Sequence, residues 1–132
     1  GFVSGTMLGS GGFIAYDEDQ CIVRNTWNFT RFYHHESCGQ CSPCREGTGW
    51  MEKVLHRLEY GHGKMSDMDL LVDVSKKIEG NTICPLGDAA AWPVASAIRH
   101  FRDEFEWHVL NPDEAQIRNF GLAHYADELV LA

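Results

Sequence analysis

Three cysteines at positions 38, 41 and 44, in the stretch Glu-Ser-Cys-Gly-Gln-Cys-Ser-Pro-Cys-Arg-Glu-Gly-Thr-Gly over residues 36–49, constrain this chain more than any other feature. An odd trio on so short a loop leaves no complete disulfide pairing, and thiols this closely spaced read as ligands or catalysts. Cys84 follows after 39 residues and is itself followed by Pro85. A C-x2-C-x2-C run with a remote fourth cysteine before proline is a [4Fe-4S] ligand pattern, in which each thiolate of the compact loop meets a different iron and the distant one closes the last corner. Cys38, Cys41, Cys44 and Cys84 are therefore the expected metal ligands. Tetrahedral zinc, as a structural interaction module, is the alternative. Zinc sites, however, usually come as two separated C-x2-C pairs, and the third cysteine of a tight trio is hard to place around one ion. Cys21, among apolar neighbours, reads as a buried inert thiol inside the first helix.

The rest of the pattern is helical. After a glycine-rich opening over residues 1–16 that reads as one or two strands, acidic residues 17–19 suit a helix start, and Ile22, Val23, Trp27, Phe29, Phe32 and Tyr33 give an apolar face to about His35. A second helix spans Glu46 to Tyr60. A third starts on Ser66 as N-cap and ends at Gly80-Asn81. A fourth starts on Asp88 as N-cap, tolerates Pro93 near its first turn, and continues to about Leu110, where Asn111-Pro112 breaks it. The expected fold is mainly α: a four-helix bundle over 17–110, preceded by strands over 1–16 and followed by a tail over 111–132. Cys44 and Cys84 then stand just before two helices, whose positive ends favour thiolates. Gly39, Gly47, Gly49 and Gly87 are expected to let backbone approach sulfur, and Arg45 to add a cation. Trp50 and Trp92 are expected to pack as core shielding the site, His34 and His35 to complement a helix end, and Glu104 and Glu106 to form a solvated face.

Composition narrows the function classes. The 132 residues carry 19 acidic against 11 basic side chains, a net charge of −8, which argues against nucleic-acid binding, since that needs clustered cations. No apolar run approaches the roughly 20 residues of a membrane span. Five cysteines without an export signal favour ligation over disulfides. The opening at Gly1 reads as the middle of a longer polypeptide.

The segments ESCGQCSPCREGTGW (36–50), IEGNTICPLGDAAAWPV (78–94) and IRHFRDEFE (98–106) closely resemble the NADH- and FMN-binding flavoprotein subunit of respiratory complex I, an NADH:quinone oxidoreductase. The resemblance covers about residues 8–110. It implies a helical domain carrying a [4Fe-4S] cluster on Cys38, Cys41, Cys44 and Cys84, preceded by a β-grasp domain whose last strands would be residues 1–16. It further implies a parent enzyme that passes a hydride from NADH to FMN and then single electrons through the cluster toward quinone. The FMN and NAD(H) motifs of that family lie upstream, and nothing in this chain matches them. Pro85 and Leu86 would approach the flavin. The implied partners are the thioredoxin-like [2Fe-2S] subunit and the next iron-sulfur subunit of a peripheral arm, on the cytoplasmic side or in the mitochondrial matrix. Diaphorase subunits of NAD-reducing hydrogenases and formate dehydrogenases share the pattern and remain an alternative.

Overall fold

The computed structural model describes residue 9 and residues 11–115. These form four long helices, α1 (Ile22–Glu36), α2 (Ser42–Glu59), α3 (Ser66–Ile78) and α4 (Leu86–Leu110), and a short helical segment over 112–115. Consecutive helices pack on one another, α1 closes against α4, and α2 touches all three others. The start of α1 meets the last turns of α4, through the N–H of Ile22 and Glu104 Oε1 at 3.0 Å. The starts of α2 and α4 meet at the other end, through the N–H of Ile83 and Cys41 Sγ at 3.5 Å. The helices therefore alternate in direction, and the expected four-helix bundle is present. The expected strands are not found among the described residues: 11–16 carry none, and Phe13 and Ile14 are exposed. A lone strand has no partner for its backbone N–H and C=O groups and is not stable by itself. Residues 1–8 and 10, and the tail from 116 to 132, lie outside the described residues.

The helix starts differ from the sequence expectation in instructive ways. Residues 17–20 form a turn, with the N–H of Gln20 on Asp17 O, and α1 begins only after Cys21, its N-cap. Ser66 is the first residue of α3, not its cap. Asp67 is what fixes this corner: buried, it accepts the N–H of Lys64 at 2.9 Å and both arms of the Arg57 guanidinium, which ties the end of α2 to the start of α3. Asp88 does not cap α4, which starts at Leu86; its carboxylate instead accepts the N–H of Gly80 at 2.7 Å and so holds the exit of α3. Pro93 is the eighth residue of α4, well past the first turn. The break after Leu110 is as expected, and one bend intervenes at Phe101, whose backbone is non-helical.

The core is one cluster with contributions from every helix: Val23 of α1, Met51, Leu55 and Leu58 of α2, Met68, Leu71 and Ile78 of α3, and Val94, Ile98 and Phe105 of α4. Two glycines of α2 set how closely its neighbours approach. A Cβ at Gly47 would fall 2.6 Å from Ile78 Cδ1, and one at Gly49 would fall 3.1 Å from His34 Nε2. Their small size serves helix packing, not access of backbone to sulfur. Thr26 and Thr30 are buried in α1 and satisfy their hydroxyls on the carbonyls one turn back.

The helices are also joined by a buried charge. Glu59 at the end of α2 is 3% exposed and lies 3.5 Å from the Arg24 guanidinium of α1. Burial pushes its carboxyl up to about 7, against the lowering effect of Arg24. A carboxyl raised in the folded state binds a proton that the unfolded chain has already lost. Stability is thus favoured below the unfolded value and declines as pH rises from about 4.5 to about 7. Glu59→Gln is expected to remove this part of the pH dependence, by on the order of 2 kcal/mol, in denaturant midpoints measured from pH 4.5 to 7.5. Leu55→Ala is expected to cost ~2–5 kcal/mol with an unchanged denaturant slope, because Leu55 is fully buried among helices that cannot all relax.

Candidate metal centre

The two cysteine-bearing loops occupy one end of the bundle. Cys41 is the N-cap of α2, and Cys44 lies in its first turn, so α2 starts four residues earlier than the apolar pattern indicates. Pro43 at the second helical position makes that early start inexpensive, since its missing N–H has no helical acceptor there. Cys84 immediately precedes Pro85, the N-cap of α4. Neither helix start carries a side-chain cap, so the first-turn amides of both keep their partial positive charge directed at the loops.

Cys44 is buried, Cys41 half-buried, and Cys38 and Cys84 exposed. The Ile83 contact with Cys41 brings the fourth cysteine's loop onto the first. Among the described residues, no three of these four sulfurs lie within 4.8 Å of one another. The chemistry of the donor set fits an anionic iron-sulfur cluster: four thiolates, two helix N-termini, and loops open to solvent on one side.

Ser37, Thr82 and Asn81, which the sequence does not single out for the site, join residues it does in shaping these loops. Ser37 Oγ lies 3.2 Å from Cys44 Sγ and accepts the N–H of Gly39 at 3.4 Å. Arg45 donates from Nη1 to Gly39 O at 2.7 Å, so the expected cation beside Cys44 acts first as a strap across the loop. Gly39 has φ +79°, a left-handed backbone that a side chain would strain. On the second loop, Thr82 Oγ1 donates to Cys84 O at 3.0 Å, Asn81 Nδ2 donates to Lys77 O and Glu79 O, and Trp92 Nε1 donates to Glu79 Oε1 at 2.7 Å. Gly87 is needed beneath it, since a Cβ there would fall 2.5 Å from Thr82 Oγ1.

Other expectations require correction. Trp50 and Trp92 are exposed rather than core, because each points off the solvent side of its helix; Trp92 serves as a hydrogen-bond donor. His34 and His35 do stand in the last turn of α1 as expected, and each also meets a carboxylate, His34 through Nδ1 with Glu52 of α2 and His35 with neighbouring Glu36. Glu106 pairs with Arg102 on the surface, whereas Glu104 turns inward onto the N–H of Ile22. Pro85 is exposed and Leu86 half-buried at the start of α4.

This arrangement is similar to part of a solved redox enzyme. A chain of a NAD+-reducing [NiFe]-hydrogenase superposes with a TM-score of 0.68 and 32% identity, over 71% of this chain and 17% of that one. Residues 24–108, which include the four loop cysteines, match the family described as the NADH-ubiquinone oxidoreductase-F iron-sulfur binding region, and the chain belongs to that family. It is 51% identical to the F subunit of the NADH-quinone oxidoreductase of Rickettsia typhi over 119 residues, 90% of this chain and 26% of that protein. It is 56% identical to the corresponding F subunit of Rickettsia akari over 102 residues, 77% of this chain and 24% of that protein. The chain thus spans about a quarter of the length of these curated relatives.

Gly39→Ala is expected to lower stability by ~1–2 kcal/mol, the cost of a left-handed non-glycine residue. Denaturant midpoints check this, with an increased alkylation rate at Cys38 as the sign that the loop itself has loosened.

Proposed function

We propose that this chain is the electron-relay segment of an NADH:quinone oxidoreductase flavoprotein subunit, and that Cys38, Cys41, Cys44 and Cys84 ligate one [4Fe-4S] cluster. The observation that carries this reading is the contact of the Ile83 N–H with Cys41 Sγ, which sets the remote cysteine's loop against the compact one where α2 and α4 begin. The sulfur spacing supports the same reading against zinc. Thiolates bound to one zinc at ~2.3 Å stand about 3.8 Å apart, closer than any three of these.

When bound, the cluster supplies reversible one-electron chemistry. The chain's own residues supply the rest. Cys44 and Ser37 form the buried wall, the uncapped amides of α2 and α4 offset the negative charge of four thiolates, and Arg45 holds the Cys38–Gly39 turn closed. Electrons would arrive from FMN reduced by NADH, both held by sequence upstream of this segment. They would leave to the thioredoxin-like [2Fe-2S] subunit or the next iron-sulfur subunit of a peripheral arm. Among the described residues no helix is long and apolar enough to cross a membrane, consistent with such an arm. Pro85 and Leu86, at the start of α4 next to Cys84, would face the flavin. The hydrogenase likeness favours a second reading, a soluble diaphorase, but the 51% and 56% identities to the quinone-linked Rickettsia proteins rank it second.

Anaerobic purification is expected to yield a brown protein whose broad visible absorbance bleaches with dithionite; a colourless protein with stoichiometric zinc would contradict the cluster. Cys84→Ser should lose or convert the cluster and Cys21→Ser should retain it, as counted by iron and acid-labile sulfide; equal losses would overturn the ligand assignment. In the full-length parent, Leu86→Asp should weaken flavin retention. Co-purification with quinone-linked subunits, as against hydrogenase subunits, separates the two enzyme classes.

A further inference from the structure

At the end of the bundle remote from the cysteine loops, the first residue before α1 meets the last turns of α4. Cys21 is buried there, and its Sγ lies 3.1 Å from Nε2 of His108, which is fully buried. Glu104, one turn before His108, reaches the same point while its Oε1 accepts the N–H of Ile22. A sulfur, an imidazole nitrogen and a carboxylate oxygen from these three residues all lie within 4.8 Å of one another. We infer that Cys21, Glu104 and His108 form a second metal site, for a single divalent ion of the zinc class.

Three features favour a cation over a plain hydrogen-bonded trio. Ligand bonds of ~2.0–2.3 Å at tetrahedral angles place neighbouring ligand atoms roughly 3.3–3.8 Å apart, close to the 3.1 Å between Cys21 Sγ and His108 Nε2 and within the 4.8 Å that encloses all three ligand atoms. One thiolate and one carboxylate neutralise a dication, so the loaded centre adds no net charge to a buried region. The soft and borderline donors select zinc over calcium or magnesium, which require oxygen ligands.

Binding is a ligand exchange without change of oxidation state. The Cys21 thiol gives its proton to solvent, neutral His108 coordinates through Nε2, Glu104 coordinates through its carboxylate, and water fills the fourth position on the half-exposed Glu104 side. Burial pushes the Cys21 thiol up to about 11, so without a cation it stays protonated as an ordinary core thiol. Leu86 and Glu104 are ~27 Å apart along α4, which makes this centre spatially independent of the cysteine loops. An ion here would pin the start of α1 to the part of α4 beyond its bend at Phe101.

The test uses the full chain carrying its cluster, incubated with Zn2+ and desalted, with zinc and iron counted and the zinc shell read by X-ray absorption. One zinc per chain is expected, with unchanged iron and a shell of one sulfur with nitrogen and oxygen. Glu104→Gln keeps an oxygen acceptor for Ile22 but loses the anionic ligand, and should weaken zinc by more than ~10-fold, since even indirect ligand support is worth ~10–100-fold. Cys21→Ser should remove the sulfur from the shell. No retained zinc, a four-sulfur shell, or equal zinc affinity in Glu104→Gln and the parent chain would overturn the inference.

Discussion

The N–H of Ile83 rests on the sulfur of Cys41 across 42 residues of chain, and that meeting depends on α2 and α4 starting at the same end of the bundle. Two helices can begin side by side only if the chain between them returns, which is what α3 does. The corners that turn α3 around are fixed by buried or convergent polar contacts: Asp67 with Arg57 and Lys64 at its entry, Asp88 with Gly80 at its exit. If either corner slipped by a residue, α4 would rotate by about 100° and carry Cys84 away from the first loop.

The two ends of the bundle are chemically different. At the loop end, helix N-termini without side-chain caps converge on thiols that are partly open to solvent, a setting whose backbone dipoles complement a bound anionic group. At the opposite end, Cys21 is enclosed with His108 and Glu104, and burial, with the nearby Glu59 and Glu104 carboxylates adding to it, favours its neutral form. Identical side chains therefore sit in different electrostatic surroundings within one small domain, because one set faces backbone dipoles and the other faces a low-dielectric interior beside carboxylates.

Helix existence, the apolar faces and the break after Leu110 are readable from periodicity, because burial of one face repeats every three to four residues. The loop cysteines are readable from spacing alone. Helix starts are not: Asp88 and Ser66 have the chemistry of caps, but a carboxylate or hydroxyl near a helix start can equally serve a neighbouring turn, and Asp88 does. The exposure of Trp50 and Trp92 is equally hidden, because a large apolar side chain adjoining a loop does not reveal which way its helix is rotated.

The sequence by itself determined that four helices form, that three cysteines share a loop, and that a fourth precedes another helix, because these are properties of local order along the chain. Only the tertiary structure decided that Ile83 reaches Cys41, that Gly47 and Gly49 serve helix contact, and that Cys21, Glu104 and His108 come together. Those pairings join residues far apart in the chain. Their geometry follows from the rotation and direction of packed helices, which are set by the whole core at once and not by any single segment.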